Sequence, residues 1–132
     1  MTDLQPTESL PTLPKIRKAS ERDITPIVLA WLKANHKGCA AIEVKITTSG
    51  SIPANAVAKH QLSALRDVLG AGLVWKIPDI GYSKKPFDAF MLSYTSAFVV
   101  CCFSRKRLCI VINAKEWRGA TPSTHAQYSF KY

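Results

Sequence analysis

Hydrophobic and polar residues alternate most clearly over Ala40 to Thr47, where Ile42, Val44 and Ile46 share one parity and Glu43 and Lys45 the other. Successive side chains of a strand point to opposite faces, so this pattern predicts a strand with one apolar face and a Glu-x-Lys pair on the other. Before it, Ile27, Val28, Trp31 and Leu32 make one face of a helix. Two starts fit that helix. Ser20-Glu21-Arg22-Asp23 resembles a capping box, while Thr25-Pro26 offers a capping hydroxyl before a proline at the first helical position. The second is preferred, with Ile24 stapled onto Leu29 and Lys37-Gly38 as the stop. A second helix is predicted from about Ala54 to Leu69, with Val57, Leu62, Leu65 and Leu69 inward and Gly70 as its end. Leu73 to Ile77 follows as a short strand closed by Pro78-Asp79, so strand, helix and strand predict a right-handed parallel crossover.

Gly81 to Pro86 is expected as a loop carrying two adjacent lysines. Phe87 to Leu92, Ala97 to Phe103 and Leu108 to Ile112 then predict an antiparallel meander with links of hairpin length. Beyond Ala114, Trp117, Tyr128, Phe130 and Tyr132 are interleaved with basic and small residues. A packed closing segment is the preferred reading, ahead of an aromatic-basic arm for nucleic acid.

With 132 residues the chain suits a single domain, placed at 20–132 behind a flexible basic tail over 1–19. The apolar fraction of 47% is too high for a disordered chain. A net charge of +9 favours a polyanionic partner, nucleic acid before an acidic membrane surface. No basic stretch followed by an apolar one marks a secretory signal, and no apolar run reaches membrane-spanning length. A soluble, intracellular, cytoplasmic protein with no membrane partner is expected. Cys39, Cys101, Cys102 and Cys109 lie in or beside apolar runs without Cys-x-x-Cys spacing, which points to buried reduced thiols.

The charged face of the Ala40 strand carries the candidate chemistry. Phosphodiester hydrolysis uses a divalent cation to neutralise the phosphate and activate water, with side chains that orient both. Magnesium takes oxygen ligands, commonly one or two carboxylates completed by water and phosphate oxygens. Glu43 and Asp88 are the candidate ligands for Mg2+ or Mn2+, with the Val44 carbonyl as a third. Lys45, on the Glu43 face, would hold the attacking water or stabilise charge on the phosphorane. The strand is expected to be central in the sheet, where two such charges on one face would be costly. On its own, a Glu-x-Lys pair is more often a solvated strand face.

Ile42-Glu43-Val44-Lys45, followed by His60-Gln61 on the next helix, resembles the PD-(D/E)XK nuclease superfamily, and within it the small Holliday-junction resolvases and related phage nucleases. The resemblance implies an α/β restriction-endonuclease-like fold: a central mixed sheet, an N-terminal helix and one crossover helix. It implies a magnesium-dependent DNA endonuclease, with a branched junction as substrate and a homodimer cutting two strands. It also implies roles for Gln61 and for Glu21 on the first helix. The family's usual aspartate precedes the Glu-x-Lys strand, and no hairpin fits there. Asp88 in Pro86-Phe87-Asp88 is therefore the permuted candidate, on a strand expected beside Ala40 to Thr47, with Asp79 second. Lys84, Lys85 and His60 are the candidate nucleic-acid contacts; His36 and His125 are read as surface residues. The alternative is a non-catalytic basic nucleic-acid-binding module or accessory subunit.

Overall fold

A computed structural model describes residues 20–79 and 84–132. The expected tail over 1–19 and part of the expected lysine loop lie outside those residues. The described chain forms helix α1 (Glu21–Asn35), strand β1 (Ala40–Thr47), helix α2 (Lys59–Leu69) and strands β2 (Leu73–Lys76) and β3 (Ala89–Leu92). Strands β4 (Ser96–Phe103), β5 (Leu108–Asn113) and β6 (Tyr128–Lys131) follow. One mixed sheet has the order β1-β4-β5-β6, and β2 and β3 make a separate two-stranded ribbon. The α/β class is as expected.

Helix α1 starts at the earlier of the two signals. The Asp23 carboxylate accepts from the Ser20 N–H at 2.9 Å and from its hydroxyl at 3.1 Å. Pro26 therefore lies inside the helix, where an interior proline costs about 3 kcal/mol. The early start places Ile24 on the face of Ile27, Val28, Trp31 and Leu32 and buries it completely. Burying such a side chain contributes about 1.5–3 kcal/mol, and a cap about 1 more, which offsets the proline. The predicted Ile24–Leu29 staple does not form; Leu29 is exposed.

The second helical segment is broken rather than continuous. A 3-10 turn at Ala54–Ala56 precedes extended Val57 and Ala58, and α2 begins at Lys59. Val57 is buried at the break, and the Trp117 indole N–H donates to the Ala54 carbonyl at 3.0 Å, so packing fixes the turn where helical periodicity predicts continuation.

The larger correction concerns strand pairing. β1 pairs in parallel with β4, in a register running from Ala40–Ser96 to Thr47–Phe103. Leu73–Lys76 pairs instead with Ala89–Leu92, antiparallel. β4 is apolar over nearly its whole length and matches the eight residues of β1, whereas β2 spans four and leaves Val74 and Trp75 exposed. The strand able to bury both faces takes the interior place. β1 is consequently an edge strand, not a central one, and the expected meander keeps only its β4–β5 pair.

Alternation along the sheet divides the core into two layers. Val44, Phe98, Val100, Cys102, Val111 and Phe130 pack with α1 on one face. Ala97, Val99, Cys101, Phe103, Ile110 and Ile112 pack with Leu65 and Val68 of α2 on the other. The closing aromatic segment is packed, as preferred: β6 pairs with β5, and Phe130 stacks on Trp31 with ring centroids 4.5 Å apart. Cys101, Cys102 and Cys109 are buried free thiols; burial pushes Cys101 up to about 12 and also raises Cys109 above the usual thiol value. Cys39 departs from the expectation and is exposed. Among the described residues no helix is long and apolar enough to cross a membrane.

Candidate functional site

Because Ala40, Ile42, Val44 and Ile46 turn towards α1, the parity of the strand puts Glu43 and Lys45 on the α2 face. They stand in register with Val99 and Cys101 of β4, at the open edge of that face. Both are half-buried. No hydrogen bond or ion pair engages either side chain among the described residues. Two opposite charges left without partners on one strand face are available to a ligand.

Glu43 and Gln61 line one small cleft of about 180 Å³, floored by Ala41, Leu65, Val68 and Leu73. The sequence pairing of Glu43 with Gln61 thus corresponds to a spatial one. Gln61 also has a structural duty. Its Oε1 accepts from the Ala58 N–H at 3.1 Å, capping α2, which leaves the Nε2 donors uncommitted among the described residues. His60 is exposed at the first turn of the same helix. The Val44 side chain is buried on the α1 face, so only its carbonyl remains available to the site.

The other candidates lie elsewhere. Asp88 does not open a strand beside β1; it adjoins β3, and its carbonyl accepts from the Ile77 N–H at 2.8 Å across the ribbon. Its carboxylate pairs with Lys85 at 3.2 Å, and Lys85 also contacts Asp79 closely. Asp79 lies 3.8 Å from Lys76 as well. These carboxylates, Asp79 before Asp88, raise the Lys85 pKa above its usual value. Lys84 is exposed beside them. Glu21 is exposed in the first turn of α1, the helix that covers the sheet face opposite to Glu43.

His36 is not the free surface residue its isolation suggests. Its Nδ1 lies 2.9 Å from the Tyr128 hydroxyl, its ring meets Phe98 edge-on, and its Nε2 is buried without a partner. His125 is exposed, as expected.

Among the described residues, no three His, Cys, Asp or Glu side chains cluster as a preassembled metal cage. The donors present fit a different kind of site. Magnesium is commonly held by one or two carboxylates, with water and substrate phosphate supplying the remainder. Unpaired Glu43 meets the first requirement. Asp88, expected as a second carboxylate beside Glu43, is instead held by Lys85 on the ribbon.

Comparison with protein-family models, curated proteins and solved structures finds no match. The resemblance to the PD-(D/E)XK superfamily therefore remains one of sequence pattern, at Glu43, Lys45 and Gln61.

Proposed function

We propose that this protein is a magnesium-dependent DNA endonuclease. The observation that carries the reading is the unpartnered Glu43–Lys45 pair on the α2 face, with Gln61 lining the same cleft as Glu43. Glu43 is the primary metal-holding carboxylate. Asp88 is the proposed second; it stands opposite Ile77 at the far end of the β2–β3 ribbon from Leu73, so the ribbon would have to fold over the cleft to bring it to Glu43. A bound magnesium would neutralise phosphate charge and lower the pKa of its water.

The chain's own groups do the positioning. The Lys45 ammonium faces the same solvent as Glu43 and attracts a phosphate oxygen or holds the attacking water. The uncommitted Gln61 amide donors suit a second phosphate oxygen. By resemblance the substrate is branched DNA, and a homodimer would cut two strands symmetrically.

The test is cleavage of labelled four-way junction, linear duplex and single-stranded DNA, in magnesium and in chelator. Wild type should cut only with the metal, and Glu43→Ala and Lys45→Ala should not cut. Either variant cutting at the wild-type rate would sink the assignment. One observation favours a second reading, a binding module without catalysis: Asp88 is engaged by Lys85 rather than standing free. That reading expects salt-sensitive binding, no cutting and no requirement for magnesium.

A further inference from the structure

The links after β1 and β4 meet at the carboxyl ends of the parallel pair. The Ser104 N–H and hydroxyl both donate to the Thr47 carbonyl, at 3.0 and 3.1 Å. The loop leaving β1 is ordered by its own hydroxyls: the Ser49 N–H donates to Thr47 Oγ1 at 3.0 Å, and Ser49 Oγ donates to the Ser51 carbonyl at 2.8 Å. Opposite it, the tight β4–β5 turn is closed by the Lys106 N–H on the Phe103 carbonyl at 3.1 Å. Between them lies a cleft of about 410 Å³ lined by Thr48, Ser49, Gly50, Arg105 and Lys106, with Phe103 and Pro122 as its apolar part.

The three basic residues of this turn are not equivalent. Arg107 is committed, its Nε–H donating to the Tyr132 carbonyl at 2.6 Å and its guanidinium lying 5.1 Å from the Tyr132 ring centre. Arg105 and Lys106 are exposed and have no acidic partner among the described residues. Two uncompensated cations beside the Thr48 hydroxyl form a site for an anion with several oxygens. The cleft opens where α/β sheets tend to place ligands, outside the carboxyl ends of parallel strands.

It also lies on the same side of the sheet as the Glu43–Lys45 pair, because Phe103 belongs to the α2-facing layer. From Glu43 to Thr48 the strand advances about 16 Å, at roughly 3.3 Å per residue. One strand of duplex DNA presents a phosphate about every 3.4 Å of axis, so the two places would meet different phosphates.

We propose that the Arg105–Lys106 cleft is a second nucleic-acid contact, holding the phosphodiester backbone several nucleotides from the Glu43–Lys45 pair. The inference rests on nucleic acid being the ligand, but not on its being cut. With a net charge of +9, loss of any two cations would weaken binding somewhat, so the test must separate place from total charge.

Fluorescence anisotropy with a labelled 20-base-pair duplex, in chelator and across a salt series, makes that separation. Each phosphate contact adds about 0.9 to the slope of log affinity against log salt. Arg105→Ala/Lys106→Ala should therefore flatten the slope by about 1.8 and weaken binding about tenfold at low salt. Arg105→Gln/Lys106→Gln, which retains side-chain length, should do the same, with circular dichroism confirming that both variants fold. Lys33→Ala/Lys37→Ala removes equal charge from exposed positions elsewhere and should leave the slope unchanged. A wild-type slope in the two cleft variants, or equal flattening by Lys33→Ala/Lys37→Ala, would overturn the proposal. Cutting assays keep it distinct from the nuclease reading. A flattened slope with no cutting by wild type would retain the cleft and discard the nuclease; the reverse result would discard the cleft alone.

Discussion

The four-stranded sheet and the β2–β3 ribbon are built from similar apolar residues and are held very differently. In β4 and β5, side chains on both faces are buried, between α1 and α2. In the ribbon only Leu73 and Leu92 reach the main core, while Val74 and Met91, opposite each other, are 70% and 76% exposed. Two-stranded ribbons are marginally stable by themselves. This one is attached at its base, where the Tyr94 N–H donates to the Gly70 carbonyl, and is braced further out by Lys85 between Asp79 and Asp88. The candidate site divides along the same line. Glu43 and Lys45 are on the firmly packed sheet, and Asp88 is on the lightly anchored ribbon.

Core truncation should give the largest contrast. Phe98, 1% exposed between α1 and the sheet, should lose about 3–5 kcal/mol of unfolding free energy as Phe98→Ala, whereas Met91→Ala should stay within about 0.5 kcal/mol. Urea titration of both checks this. Equal losses would mean that the ribbon is packed far more tightly than its exposure indicates.

Next in size is the division of chemistry. Glu43→Ala should lower cutting by at least about a hundredfold, near 2.7 kcal/mol of barrier, with DNA binding in chelator not weakened. Asp88→Asn should fall comparably if the ribbon supplies the second carboxylate. Unimpaired cutting by Asp88→Asn would confine the site to the sheet and remove the ribbon from catalysis.

Gly72 joins α2 to the ribbon with φ +117, and a Cβ there would lie 2.8 Å from the Ser93 Cβ and 2.9 Å from the Leu92 carbonyl oxygen. Gly72→Ala should cost about 1–3 kcal/mol and loosen the ribbon before the sheet. Limited proteolysis should nick it between Leu73 and Leu92 while the 96–132 segment stays intact. Simultaneous loss of both regions would show that they unfold as one unit.

The smallest effect belongs to Lys85. Its pKa is raised above the ordinary 10.5, so its ion pairs are fully present below that value and are lost as pH rises through the raised one. Nicking of the ribbon by an alkaline protease should therefore increase from pH 9 to pH 11 in wild type, and less so in Lys85→Ala, which lacks the brace at both. An equal rise in the two proteins would assign the change to other groups.

The alternation over Ala40–Thr47 correctly made a strand with Glu43 and Lys45 on one face, because a two-residue period is a local property. Ser20 and Asp23 were likewise visible, but choosing that start over Thr25-Pro26 required knowing that Ile24 would be buried. The Gln61 relation to Glu43 was legible as a likeness of pattern, and its capping of Ala58 follows from the break at Val57, which periodicity did not show. Arg105, Lys106 and Arg107 stand in the sequence only as three adjacent charges. That Arg107 is committed to Tyr132 while its neighbours face Thr48–Gly50 depends on two chain ends meeting.

By itself, the order of residues determined most of the helices and strands, though not the break at Val57 or strand β6, and also which strand face carries charge and that a basic chain carries an isolated Glu-x-Lys pair. These follow from steric periods and side-chain chemistry within a few residues. The tertiary structure alone decided that β1 pairs with β4 and lies at an edge, that α2 covers the charged face, and that Asp88 belongs to the ribbon. Strand pairing is a competition among distant segments for buried area, and β4 wins it by length and by apolar surface on both faces.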